Sequence, residues 1–372
     1  MSKSPSTSTR SVVIPRRVKT AIQAVVILAI CLFCLNYVLN KGKINPSEIS
    51  GFRAKDDAPA NMLVPKEKRK VKAAFVSLVR NSDLHGIRKT IREVEDRFNR
   101  KFGYPYIFLN DVPFTDEFKQ GVRDLVSTNA TFGLVEGEAW GYPEYVDKNK
   151  AKEIREKSNY INGGSESYRF MCRFQSGYFY KHPLLKDLEY YWRIEPDVHY
   201  YCDVDYDPFL FMKENNKVYG WNMAPTEYMA TVPTLWDSVD KFMKKYPQHI
   251  EPKNFINFIT KDHKSYNGCH FWTNFEIANL DFYRSQKYED FFKFLDKEGG
   301  FFYERWGDAP VHTIATALFL RKNQVHYFGD IGYYHPAMGF CPKNSNRSGK
   351  CVCDPEKENE MHYECRRRWD TI

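Results

Sequence analysis

The sequence predicts an α/β fold built on a mostly parallel central sheet, and three observations predict it. Ala73 to Val79 is a short apolar run rich in β formers, the pattern of a buried strand. Ile87, Ile91, Val94 and Phe98 follow at spacings of four, three and four, which is one face of a helix. Tyr104 to Leu109 then reads as a second strand. Strand, helix and strand in that order form a βαβ unit, whose strands run parallel.

Local chemistry supports each element. Asn81, Ser82 and Asp83 supply capping groups ahead of the helix. Asp116 to Val126 predicts a further helix. Open parallel sheets bind ligands at the carboxyl ends of their strands, so Val79-Arg80-Asn81 falls at a candidate nucleotide site. Arg80 there is a base or phosphate contact, or a solvated loop arginine, and position alone leaves both open. Neither G-x-G-x-x-G nor G-x-x-x-x-G-K-[ST] occurs, so dehydrogenase and P-loop chemistry have no support.

Composition narrows the partners. The chain is 42% hydrophobic and 27% charged, a globular balance. Past residue 70 it is long enough to bury about 75% of its unfolded surface. Aromatic residues reach 16%. Most such rings belong to a core, and some can serve as platforms for the C–H face of a sugar. The net charge of +8 comes without a long basic run interleaved with aromatics, which argues against a nucleic-acid partner.

The N-terminus predicts a membrane anchor. Ala21 to Leu39 holds 19 residues without a charge, broken only by Gln23 and Asn36. A bilayer core needs about 20 apolar residues in a helix, and a cleaved signal has an apolar region of only about 7–15. The reading is a cytoplasmic tail over 1–19, a signal anchor over 20–40, a polar, proline-containing stem over 41–70 and a luminal domain over 71–372. Two sequons, Asn129-Ala130-Thr131 and Asn346-Arg347-Ser348, fit a luminal domain. So do the seven of nine cysteines that follow the span. Seven is odd, so at least one is unpaired within the chain. Cys351 and Cys353 are too close to bridge each other comfortably, and no C-x-x-C spacing supports zinc.

Four stretches carry candidate chemistry. In Tyr190–Phe209 a strand over Trp192–Ile194 ends at Glu195-Pro196-Asp197. Paired carboxylates at a strand end suit a hard cation that bridges a diphosphate. Asp203, Asp205 and Asp207 offer a competing D-x-D pair, and spacing does not choose between the two. Tyr266–Ile277 packs polar and aromatic residues around one carboxylate, Glu276. That group could stabilise an oxocarbenium-like sugar, or be an ordinary salt-bridged glutamate. The last two are Arg305–Pro310, with Asp308, and Gly332–Pro336. His335 in the latter could join a carboxylate at Mn²⁺, or be structural.

SYRFMCRFQSG (Ser167–Gly177), the Tyr190–Phe209 stretch, YNGCHFWTNFEI, RWGDAPVHT and GYYHP occur here in one order. In that order they resemble the fungal Golgi α-1,2-mannosyltransferases, over about residues 70–372. The resemblance implies a type II Golgi membrane enzyme with a GT-A, Rossmann-like fold. It implies a retaining transfer of mannose from GDP-mannose, with Mn²⁺, to a mannose-containing glycan in protein N- or O-glycosylation. Carried over by position, Glu195 and His335 hold the metal and Glu276 is the nucleophile. Arg80 contacts the nucleotide, and Tyr168, Asp197 and Asp308 lie near donor and acceptor. Glu276 would then sit beneath the anomeric carbon and either attack it or stabilise its charge. Mannosylphosphate transfer and a catalytically idle lectin or scaffold are the alternatives.

Overall fold

The computed structural model describes residues 71–372 except His263, Ala337, 344–349 and 358–362. The predicted tail, membrane span and stem and the sequon at Asn346 lie outside the described residues. Among the described residues no helix is long and apolar enough to cross a membrane.

A seven-stranded sheet forms the centre, in the order β10-β6-β9-β4-β1-β2-β3. In sequence order its strands are β1 (Ala73–Leu78), β2 (Tyr106–Asn110), β3 (Ala130–Leu134), β4 (Tyr190–Arg193), β6 (Tyr219–Trp221), β9 (Glu276–Asn279) and β10 (Val325–Tyr327). The expectation of a mostly parallel sheet holds, with one qualification. β9 runs antiparallel to both neighbours, β4 and β6, and the other pairings are parallel. A three-stranded sheet of β5 (His199–Tyr200), β11 (Tyr333–His335) and β12 (Met338–Phe340) brings His335 to the site. β7 (Thr260–Lys261) and β8 (Ser265–Tyr266) form a short hairpin.

The predicted βαβ unit is present. Ile87, Ile91, Val94 and Phe98 are buried on one face of the helix Leu84–Val94 and its continuation. That continuation is a π turn over Glu95–Asn99. It keeps Asn99 within reach of Tyr104, whose N–H donates to the Asn99 side-chain oxygen at 2.7 Å. This tie holds Tyr104 outside the strand, so β2 begins at Tyr106 rather than at the predicted Tyr104. The helix predicted over 116–126 runs from Asp116 to Arg123, capped by the Thr115 hydroxyl, which accepts from Phe118 N–H.

Aromatic rings fill the core, as the composition suggested. Phe75 on β1 lies between Tyr106 and Trp192, with ring centres 5.0 Å and 5.2 Å away. Truncating such a ring to alanine costs about 3–5 kcal/mol. Three disulfides, Cys202–Cys351, Cys269–Cys365 and Cys341–Cys353, pin the C-terminal segment to the domain. Cys172 is the buried, unpaired member of the odd set.

Candidate active site

The carboxyl ends of β1, β2, β4, β6 and β10 point to one side of the sheet, and a two-ended cavity lies there. The narrower end, about 330 Å³, is lined by Arg80 and Asp83 after β1, Asn110 and Asp111 at the end of β2, and Glu195 after β4. The wider end, about 610 Å³, is lined by Tyr168, Arg193, Glu227, Trp272, Arg305 and Asp308, among others. Glu195 and His335 line both ends and so mark the waist.

Arg80 leaves β1 at the predicted place. Its Nη2 donates to the Ser167 hydroxyl at 2.8 Å, which aims the guanidinium along the narrow end. Asn110 was not foreseen. It is buried, its side-chain N–H₂ has no partner among the described residues, and it lines the same end. A buried donor without a partner is costly, and a ligand acceptor would relieve it. The rule that singled out Arg80 also covers Asn110, which ends the next strand.

At the waist, Arg193 organises two carboxylates. Its Nε donates to Glu195 Oε1 at 2.6 Å and its Nη1 to Asp308 Oδ2 at 2.6 Å. Asp308 opens the helix Asp308–Phe319, is 5% exposed, and also accepts from the Thr273 hydroxyl at 2.7 Å. Burial alone would raise its carboxyl. Arg193, His312 and Thr273 reverse that and hold it below the ordinary carboxylate range, so it is ionised.

His335 and Glu195 fit a divalent cation. Burial keeps the His335 imidazole below its ordinary value, with Glu195 opposing, so the ring is neutral at pH 7. Its Nδ1 lies 3.4 Å from the Pro336 carbonyl oxygen, a long contact that leaves Nε2 as the nitrogen with the lone pair. Among the described residues no three His, Cys, Asp or Glu side chains cluster. Hard cations in such sites take one or two protein ligands and complete the shell with phosphate oxygens and water. A carboxylate beside a neutral imidazole is a donor set that suits manganese.

Two predicted residues fall elsewhere. Asp197 does not join Glu195 in the cavity. It follows a proline, has a left-handed φ of 55°, and turns outward to Lys89, 3.3 Å away on the first helix. Its carboxylate packs where a Cβ on Gly86 would have to sit, 2.5 Å from the nearest oxygen. Glu276 is also off the cavity wall. It stands at the start of β9, is 0% exposed, and is ringed by donors. Tyr219 donates to Oε2 at 2.6 Å, Tyr283 to Oε1 at 3.0 Å, and His312 Nδ1 lies 2.9 Å from Oε2. His312 Nε2 lies 2.9 Å from the Gln175 carbonyl oxygen, to which it donates, and Nδ1 faces Glu276. Burial raises the Glu276 carboxyl, against the pull of His312 and Tyr283. The carboxylate is thus fully buried among these donors and does not line the cavity. Arg193 and Glu276 are cross-strand partners on one face of the sheet; the long Arg193 side chain reaches the cavity, while the shorter Glu276 stops among Tyr219, Tyr283 and His312.

The other predictions meet the cavity or explain themselves. Tyr168 lines the wide end, with Arg305 Nη1 donating to its hydroxyl at 3.1 Å. Asp203 pairs with Arg97 and Asp205 with Lys350, while Asp207 caps the helix Pro208–Glu214, so the competing acidic run is structural.

Comparisons with known proteins agree with this geometry. Residues 36–372 match the family described as glycolipid 2-alpha-mannosyltransferase. Glycolipid 2-alpha-mannosyltransferase 1 of Candida albicans is 50% identical over 310 residues, 82% of this chain and 72% of its own. Alpha-1,2 mannosyltransferase KTR1 of Saccharomyces cerevisiae is 50% identical over 308 residues, 81% of this chain and 78% of its own. The crystal structure of core-mannan synthase A from Aspergillus fumigatus, in its Mn/GDP form, has a TM-score of 0.77 at 40% identity. It covers 81% of this chain and 85% of that one. The chain thus belongs to the glycolipid 2-alpha-mannosyltransferase family and is a mannosyltransferase.

Proposed function

We propose that the protein moves mannose from GDP-mannose to a mannose-ended glycan of a glycoprotein or glycolipid, forming an α-1,2 bond with retention and using Mn²⁺. The observation that carries this is the waist, where Glu195, His335, Arg193 and Asp308 converge between a narrow end and a wide end. Arg80 and Asn110 would hold the nucleotide in the narrow end. Glu195 and His335 would hold the cation, which when bound neutralises the diphosphate and makes it a better leaving group.

Asp308 is fixed and ionised, so it can accept a hydrogen bond from an acceptor or donor hydroxyl and orient it. The Tyr168 hydroxyl accepts from Arg305, which fixes the ring on the wall of the wide end. The burial of Glu276 off the cavity lining favours direct displacement on the face the diphosphate leaves. The bond from anomeric carbon to phosphate oxygen breaks, and the bond to the acceptor oxygen forms. The acceptor proton passes to the departing diphosphate, and GDP is released.

We also propose a Golgi membrane location, with 20–40 as the anchor and the domain in the lumen. Three disulfides support an oxidising compartment. The sequon residue Asn129 is exposed and open to glycosylation, so a shift in mass on endoglycosidase treatment would check the topology.

The test of function is incubation of residues 71–372 with GDP-mannose, Mn²⁺ and methyl α-mannoside. GDP together with an α-1,2-linked dimannoside, lost on chelation, is the expected result. GMP would indicate mannosylphosphate transfer instead. Donor binding without product on any acceptor would indicate a lectin or scaffold.

A further inference from the structure

A ladder of rings leads out of the wide end of the cavity. The Arg305 guanidinium carbon lies 5.4 Å from the centre of the Tyr168 ring and 5.7 Å from that of Tyr160, on its way outward. Tyr160 meets Tyr228 edge-on, with centres 6.4 Å apart. Tyr168 is half-buried at the inner end. Tyr228 is 61% exposed at the mouth, and Ile161 beside it is 84% exposed. Both line the cavity.

The mouth is built rather than loose. The Glu227 N–H donates to the Gly268 carbonyl at 2.8 Å, and Glu227 Oε1 accepts from the Tyr228 N–H at 2.8 Å. The same carboxylate pairs with Arg305 at 3.7 Å, so the loop that carries Tyr228 is tied to a rung of the ladder. Gly268 itself has φ +85°, and an added Cβ would approach the Thr226 side chain to 2.9 Å, so the loop is held close on that side too. Large apolar groups held in water beside a cavity mark a binding surface.

We infer that this mouth is a second acceptor subsite, which takes the pyranose next to the terminal mannose of the acceptor. The inference rests on the proposed mannosyl transfer, which puts the terminal sugar beside Asp308 and Tyr168. A pyranose has an apolar C–H face and a rim of hydroxyls. Tyr228 and Ile161 offer an apolar surface to the first, while Glu227, Asn162 and Arg305 offer polar partners to the second. The Arg305 Nε is buried without a partner among the described residues, and an acyl chain, with no acceptor along its length, would leave it so at a cost. The occupant is therefore a second sugar, and acceptors of two or more mannose units are preferred over one.

The test compares α-1,2-mannobiose with methyl α-mannoside as acceptors for residues 71–372. In the unaltered domain kcat/KM favours the disaccharide. Tyr228→Ala lowers that preference by about five- to tenfold, the factor one ring contact is worth, and Tyr228→Phe retains it. The subsite is overturned by equal use of both acceptors in the unaltered domain, or by an unchanged preference in Tyr228→Ala. Calorimetric binding of the two sugars in the presence of GDP and Mn²⁺ separates the two readings. Tighter binding of the disaccharide that depends on Tyr228, with no mannose transferred, would sink the transfer and keep the subsite. Equal binding of the two sugars would sink the subsite whatever the activity.

Discussion

Asp308 and Glu276 are two buried carboxylates, and they have opposite fates. Asp308 faces the cavity, and Arg193 with its neighbours keeps it ionised. Glu276 faces the core, where burial pushes its carboxyl up and a ring of hydroxyls and one imidazole satisfies it. Burial alone does not mark a reacting group. Access and partners do, and of two side chains on one sheet face the longer, Arg193, reaches the cavity and meets Asp308 there. The two carboxylates are nonetheless linked, because Asp308 and His312 lie one turn apart on the same helix face. That helix holds Arg193 through one residue and Glu276 through the other.

The contrast can be broken most directly at Asp308. Asp308→Asn removes the ionised acceptor, and turnover should fall by at least about a hundredfold, as for loss of a fixed electrostatic contact at a reacting centre. Steady-state kinetics would show it, and near-normal kcat would end the special standing of Asp308. His335→Ala should raise the Mn²⁺ concentration for half-maximal rate by about 10–100-fold, without preventing GDP binding by the metal-free protein. An unchanged metal requirement would take the histidine out of the waist.

Glu276→Gln should keep turnover within about tenfold while lowering the melting temperature by a few degrees, since one buried hydrogen-bond partner changes character. Turnover lost by a thousandfold or more in a folded variant would make Glu276 the reacting group after all, and the contrast would collapse.

The pH dependence sharpens it further. Glu276 is raised above its ordinary 4.5 in the fold, so the folded chain binds that proton more tightly than the unfolded chain. Its contribution is full below 4.5 and is lost as pH rises through the raised value. Asp308 is lowered from 3.8, so its contribution is present above 3.8 and is lost as pH falls through the lowered value. Melting curves of Glu276→Gln should therefore fall less steeply above pH 4.5 than those of the unaltered domain, and those of Asp308→Asn less steeply in acid. Equal slopes above 4.5 would remove the Glu276 assignment. The smallest effect belongs to Asp203→Asn, which loses a half-exposed pair with Arg97 worth up to about 1 kcal/mol and should leave turnover unchanged.

Much of the scaffold was legible because periodicity is local. Ile87, Ile91, Val94 and Phe98 announced their helix face, and Ala73–Val79 its strand. Arg80 was legible because ligand sites in parallel sheets follow strand ends. Glu195 and His335 became legible only through resemblance, since no spacing rule links residues 140 positions apart. Asp197 and Glu276 were misplaced for a shared reason. Where a side chain ends depends on a left-handed turn in one case and on the tyrosines and histidine that gather round the carboxylate in the other, and neither is written in residue type. Arg193 and Glu227 carried no signal as site residues, because a buried charged side chain looks the same in sequence as a solvated one, and Arg305 was marked only as the start of a motif.

One reversed strand has a consequence for how the molecule comes together. Parallel strands deliver to the ligand side the chain that follows them, whereas β9 delivers the chain that precedes it, His270 to Asn274. The cavity wall is thus stitched from segments running in both directions. Its central seam joins Arg193 to Glu276, and β4 is itself joined to β1 across more than a hundred residues. Contacts so distant along the chain are slow to form. The waist cannot exist in any fragment that lacks one of these strands, so in refolding the ability to bind nucleotide should return only with the complete sheet.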